Sequence, residues 1–273
     1  MTLAADDFDF LRAFVYANSA IVLDPGQEYL ATTRLGPVAE KEGLGGVPDL
    51  VRSLRNQPPQ RLKKRVIDAM TTNETSFFRD LHPFETLRTD IVPRLLAARP
   101  PGDRPLTLWS AACSTGQEPF TIAMLMREHF PALPVRILAS DLSTEVLDRA
   151  RDGLFSQVEV NRGLPAAKLF KWFDADRRGY RVKPEILRMV EFFPLNLVMP
   201  WPFLPQMDVI FLRNVLIYFD ADTKRSILAR MRRQMGEGYL VLGGAETTLN
   251  LDEHLEIIPG AKSHFYRNRN TGR

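Results

Sequence analysis

The chain has 273 residues, 45% of them hydrophobic and 25% charged, a globular balance that excludes a disordered or fibrous class. Its 36 basic and 33 acidic side chains leave a formal charge of +3, too small an excess to argue for a nucleic-acid surface. One cysteine excludes an internal disulfide, and no run of 18 apolar residues offers a membrane span.

Residues 1–9 carry three aspartates and no basic stretch, unlike a secretory signal, so a cytoplasmic protein is expected. Up to about residue 70 the pattern is helical. Phe8, Leu11, Phe14 and Val15 recur at helical spacing, as do Leu50, Val51 and Leu54. Pro58-Pro59 opens a further helix over 60–70, because proline suits a first helical turn. Pro100, Pro101, Gly102 and Pro105 form the clearest break. Beyond it come an apolar run at 106–110, a glycine turn and a helix over 118–130. A second run at 135–139 leads into Asp141, and a helix over 144–151 follows. The runs at 207–212 and 239–242 flank a helix over 222–235. Strands alternating with helices predict a parallel, doubly wound α/β sheet with right-handed crossovers. Residues 255–258, Pro259-Gly260 and 263–267 predict a hairpin that closes the sheet antiparallel. The stretch at about 152–188 interrupts the rhythm and reads as a small β-rich insertion. The expected domains are a helical unit over 1–72, a linker with a first motif over 73–100, and the sheet domain over 101–273.

In doubly wound sheets, ligands bind at the carboxyl ends of the strands, by the first strand-to-helix turn. That turn is Ala111-Ala112-Cys113-Ser114-Thr115-Gly116-Gln117-Glu118, and the second strand delivers Asp141, placed to accept from ribose hydroxyls. A phosphate loop needs G-x-x-x-x-G-K-[ST], and a dinucleotide site needs G-x-G-x-x-G; this turn has one glycine and no lysine. Glu118 would repel a pyrophosphate but tolerates a cation, so the pattern favours S-adenosylmethionine. A tight turn in a nucleotide-free domain is the alternative. Cys113 reads as a packing residue, with no histidine near it in sequence. The four histidines (His82, His129, His254, His264) lack ligand spacing, and no metal is expected.

Further blocks stand at 72–80 (Thr-Asn-Glu-Thr-Ser-Phe-Phe-Arg-Asp), 109–120, 139–143 (Ala-Ser-Asp-Leu-Ser), 193–197 (Phe-Pro-Leu-Asn-Leu) and 213–219 (Arg-Asn-Val-Leu-Ile-Tyr-Phe). In this order, through essentially the whole chain, they resemble the chemotaxis receptor methyltransferases, the CheR family. The resemblance implies a Rossmann-like methyltransferase domain that esterifies receptor glutamates. It implies cofactor contacts from Asn73, Thr75, Arg79, Glu118, Asp141, Asn196, Leu197, Asn214 and Val215, with S-adenosyl-L-homocysteine as product. Gln117 departs from the family's frequent glutamate there. The block over 243–247 matches Gly-x-Ser-Glu only loosely, and no site residue is carried from it.

Phe77 and Phe78 read as packing between the two domains, and Asn196 and Asn214 could be turn formers. A glutamate carboxylate is ionised at pH 7, so transfer to it needs positioning rather than a general base. Arg79 is expected to orient a carboxylate and Tyr218 to line the methyl channel. Six cations without an acid lie between residues 50 and 67: Arg52, Arg55, Arg61, Lys63, Lys64 and Arg65. They suggest a docking face for the acidic helical cytoplasmic domain of receptors, with a solvated surface as the plain alternative. A monomer is expected, without nucleic acid and without membrane insertion. The rival readings are a nucleic-acid base methyltransferase, which would want an Asn/Asp-Pro-Pro-Tyr/Phe element near 214, and a non-catalytic cofactor-binding regulator. The segment 173–180 is short and has one glycine, from which independence of a receptor C-terminal pentapeptide is expected.

Overall fold

A computed structural model describes residues 3–100, 104–259 and 263–269. Pro101, Gly102 and Gly260, which the sequence marks as break and hairpin turn, lie outside the described residues. The chain divides into two compact units. One holds Met1–Thr72 with Tyr218–Thr223, and the other holds Asn73–Ile217 with Lys224–Arg273.

The first unit is built from α1 (Ala5–Ser19), α2 (Glu28–Lys41), α3 (Val47–Arg55) and α4 (Gln60–Met70). Each contributes an apolar stripe to a shared interior: Phe8, Leu11 and Val15; Ala31 and Leu35; Leu50, Val51 and Leu54; Leu62, Val66 and Met70. Packing of these stripes, rather than intrinsic propensity, holds helices this short. Arg34 on α2 donates to the Met70 carbonyl at 2.8 Å and to Thr72 Oγ1 at 2.9 Å, fastening the end of α4.

The second unit opens with α5 (His82–Thr86), a π turn (Leu87–Ile91) and α6 (Val92–Ala97). The expected linker over 73–100 is therefore folded. Phe84, Leu87, Ile91 and Val92 are buried in the core under the sheet. Its prolines do not break it, for physical reasons. Pro83 sits in a first turn, where its missing N–H is not needed, and Pro93 directly follows the π turn, where the Val92 N–H already reaches back to the Leu87 carbonyl.

β1 (Leu106–Ala111), α7 (Gln117–His129), β2 (Val135–Asp141) and α8 (Thr144–Asp152) follow as expected. The insertion then contributes β3 (Leu154–Phe155), α9 (Gln157–Asn161), α10 (Ala166–Trp172), β4 (Phe173–Asp176), β5 (Gly179–Val182) and α11 (Pro184–Leu187). Its sheet is antiparallel in the order β3-β5-β4. Residues 173–180 are thus not a loop but a hairpin, paired from Phe173–Val182 to Asp176–Gly179 with Arg177 and Arg178 at the turn. The insertion joins the core through Phe155, Phe173 and Val182. It is also tied to α7 by Glu128, which accepts from Trp172 Nε1 at 2.7 Å and from Lys168.

The main sheet is completed by β6 (Val190–Pro194), β7 (Val209–Leu212), α12 (Ala221–Met235), β8 (Tyr239–Leu242), β9 (Leu255–Ile257) and β10 (Phe265–Asn268). Its order is β6-β2-β1-β7-β8-β10-β9. The first five strands are parallel, and β10 runs antiparallel to both β8 and β9. All six residues of β1 are buried, as in a parallel strand covered on both faces. The connection from β6 to β7, residues 195–208, contains no helix. Trp201 packs edge-on to Trp109 at 5.3 Å, and Arg230 donates to the Leu197 and Met199 carbonyls, so side chains secure the extended crossover.

Candidate active site

The turn after β1 is sharp. Ala112, Ser114 and Gly116 all adopt positive φ, at 62°, 50° and 97°. A Cβ on Gly116 would stand 2.9 Å from the Phe120 ring and 3.1 Å from the Ala150 methyl, so glycine is required on two counts. Asp141, at the end of β2, holds the turn from beneath: its carboxylate accepts from the Ser114 N–H at 2.8 Å and the Ser143 N–H at 3.0 Å. Burial pushes its pKa up, an effect the Ser143, Ser114 and Leu142 amides oppose. Each oxygen keeps a further lone pair for a ligand hydroxyl. Glu118, in the first turn of α7, accepts from Ser110 Oγ at 2.7 Å and from Arg213 at 2.8 Å.

The block over 73–80 is drawn to this turn. Ser114 Oγ donates to the Asn73 carbonyl at 2.8 Å, and the Phe78 N–H donates to Thr121 Oγ1 at 3.2 Å. Among the described residues the side chains of Asn73 and Thr75 bond to no protein partner, which leaves their polar atoms for a ligand. Phe77 is core, but its partners differ from expectation: it meets Phe155 at 5.0 Å and Phe173 at 5.7 Å, both from the insertion. Phe78 packs on Phe84 at 5.8 Å. The insertion also approaches the loop at Gly163, whose φ is +88° and whose Cβ would lie 2.1 Å from the Phe77 carbonyl oxygen. Arg162 pairs with Glu74 at 2.8 Å. The Arg79 guanidinium donates to the Glu74 carbonyl at 3.1 Å.

Asn196 and Leu197 follow β6. The Asn196 side chain accepts from the Val198 N–H at 3.1 Å, and Leu197 is buried. Asn214 and Val215 follow β7, with Asn214 at φ 57°. Their backbone is held by Glu246, a residue the sequence reading set aside. The Glu246 carboxylate is buried and accepts from the N–H groups of Asn214, Val215, Leu216 and Gly243, at 2.7–2.9 Å. Arg213 was also missed as a site residue. Both signals were present, as an acid just after the β8 run and a cation beside Asn214. Tyr218 ends a 3₁₀ turn (Leu216–Tyr218) and groups with the helical unit, where its carbonyl accepts from the Val22 N–H at 2.9 Å.

In the helical unit, carboxylates from outside the basic run reach it, Asp49 from the same helix and Asp7 and Glu42 across the fold. Arg52 pairs with Asp49 and Arg55 with Asp7, while Arg61 and Arg65 share Glu42. Lys63 and Lys64 make no ion pair among the described residues. The thiol of Cys113 is buried, which pushes its pKa well above the usual range, with Asp141 and Glu118 adding to the shift. Among the described residues no group of three or more His, Cys, Asp or Glu could hold a metal, and no helix is long and apolar enough to cross a membrane.

The residues present fit S-adenosylmethionine: a glycine turn without a lysine, a buried acceptor at Asp141, and free polar side chains at Asn73 and Thr75. Asn73, Thr75, Arg79, Glu118, Asp141, Asn196, Leu197, Asn214 and Val215 are the residues that the resemblance expects to hold it. Comparison with known proteins points the same way. Residues 6–71 match the all-alpha domain of the CheR methyltransferases, and residues 73–264 match their SAM-binding domain. Chemotaxis protein methyltransferase 1 of Pseudomonas aeruginosa is 38% identical over 98% of this chain and 99% of its own. Cher2 of Pseudomonas putida is 36% identical over 96% and 97%, and chemotaxis protein methyltransferase 1 of Vibrio cholerae is 37% identical over 92% of each. The chain belongs to the CheR family, and is an S-adenosylmethionine-dependent chemotaxis protein methyltransferase.

Proposed function

We propose that this enzyme works in the cytoplasm and transfers methyl groups to glutamate side chains on the helical cytoplasmic domain of chemotaxis receptors, giving methyl esters. The bound cofactor supplies an electrophilic methyl on a sulfonium. The observation that carries the carboxylate acceptor is the engagement of the site's own ionisable groups. Glu118 is bound by Ser110 and Arg213, Asp141 by backbone amides, and Cys113 is held as a thiol. None of these is an unpartnered base, which suits an acceptor that arrives ionised. The protein's part is positioning: Arg79 orients a carboxylate, the turn over 111–118 and the Asn73 loop fix the cofactor, and exclusion of water favours loss of charge between anion and sulfonium. Incubation with methyl-labelled cofactor and a panel of receptor cytoplasmic fragments tests this. Base-labile label on protein is expected; label on nucleic acid, or none, would defeat the reading.

The N-terminal unit over 1–72 is the proposed docking face. The six cations of its 52–65 run stand against three paired carboxylates, and Lys63 and Lys64 are the members left to meet an acidic helix. Reversing both to glutamate should slow receptor methylation several-fold at low salt, leave adenosylhomocysteine affinity unchanged, and lose its effect at high salt. Kinetics at two ionic strengths check this; unchanged rates would make the run a solvated surface.

Independence of a receptor pentapeptide is proposed as well. β4 is an edge strand and so offers unpaired backbone groups, but it carries Asp174 and Asp176, and Arg178 and Arg181 crowd Asp176 from the hairpin. Charges on an edge discourage strand addition. Deleting the receptor's C-terminal tail should leave methylation within about twofold of the full-length rate, since no tether adds local concentration; a drop of tenfold or more would show that the tether operates.

A further inference from the structure

Arg213 is 2% exposed as a side chain, yet it carries a full charge and bonds to two segments that the sheet brings together. One guanidinium nitrogen donates to Glu118 at 2.8 Å. The other donates to the Arg79 carbonyl and to the Asp80 carboxylate, both at 2.8 Å. The plane lies over the Phe84 ring at 5.5 Å, and Phe84 in turn stacks on Phe211 of β7. Phe78, Asp80 and Leu81 have φ of 51°, 65° and 38°, conformations that side-chain-bearing residues resist. Such backbone persists only where its surroundings over-determine it.

Stability alone gives this arrangement little reason to exist. A buried ion network is often no more stable than apolar residues of the same shape. What it supplies is geometry: a planar fork holds two acceptors at a fixed separation, which a point charge does not. We infer that Arg213 is a positioning residue for methyl transfer, setting the Arg79–Leu81 backbone against Glu118 so that both meet the cofactor in register. This rests on the proposed roles of Arg79 and Glu118.

Arg213→Lys is the informative variant, because it keeps a cation beside the Glu118 and Asp80 carboxylates and removes only the fork. Three changes are expected. In the cofactor-free protein, hydrogen exchange should quicken at amides of residues 78–85 and stay unchanged in the strands of the main sheet. Adenosylhomocysteine should still bind one per chain, roughly tenfold more weakly. Turnover should fall on the order of 100-fold, the scale of a misplacement of about 1 Å, with the receptor KM unchanged. Asp80→Asn, at a half-exposed side chain, should quicken exchange over the same residues to a smaller degree. Exchange that rises uniformly through the sheet would mark Arg213 as structural only and overturn the inference. So would Arg213→Lys turnover within twofold of the parent beside an inactive Arg79→Ala. Full turnover in Arg79→Ala would instead overturn the underlying role of Arg79, and the inference with it.

Discussion

Replacing Glu246 by alanine is expected to destabilise the enzyme by about 3–5 kcal/mol and to abolish measurable adenosylhomocysteine binding. Its carboxylate accepts from four backbone N–H groups, and three of them belong to consecutive residues, Asn214, Val215 and Leu216. Removing it strands those donors, two buried and two half-buried, and each unsatisfied buried group costs about 1–3 kcal/mol before relaxation. It also frees Asn214 to leave its left-handed conformation and so dissolves the strand end that should meet the cofactor. Denaturant unfolding gives the first quantity and calorimetry the second. A loss below about 1 kcal/mol would show that the amides find other partners.

Asp141→Ala should weaken adenosylhomocysteine affinity on the order of 100-fold, about 2.7 kcal/mol, with a smaller effect on folding. The residue has two duties: it accepts from Ser114 and Ser143, which shapes the glycine turn, and it retains lone pairs for ribose hydroxyls. Its raised pKa fixes the sign of the pH dependence. The carboxylate is the accepting form, so affinity should hold at neutral pH and fall on acidification, beginning above the ordinary aspartate range because burial favours the protonated acid. Calorimetry at neutral pH showing parent affinity in Asp141→Ala would remove the assignment.

The parts that were legible in sequence are those whose physics is local. The runs at 106–110, 135–139 and 239–242 became β1, β2 and β8, and the single-glycine turn sits where a ligand turn belongs in a parallel sheet. What stayed hidden depends on partners far along the chain. Glu246 acts on backbone amides some thirty residues away, so no pattern of side chains announces it. Arg213 acquires meaning only from Glu118 and Asp80, 95 and 133 positions distant. The run over 50–67 looked free of acids because Asp7 and Glu42 reach it from other helices. The folded stretch over 82–97 stayed hidden because its elements are short and carry Pro83 and Pro93, which only first-turn and π-turn positions accommodate. The first strand of the hairpin over 173–182 was masked by charge, since Asp174 and Asp176 do not resemble a strand that helps close a core.

The central claim is that methyl transfer here is positioning of an acceptor that is already ionised, without a general base. Turnover of a receptor fragment at saturating cofactor, measured from about pH 6 to 9, tests it most directly. A glutamate acceptor, with an ordinary pKa near 4.3, is fully charged throughout that window, so the rate should be flat. A rate that climbs about tenfold per pH unit would mean that a proton must leave an acceptor or a base before transfer, and would contradict the account.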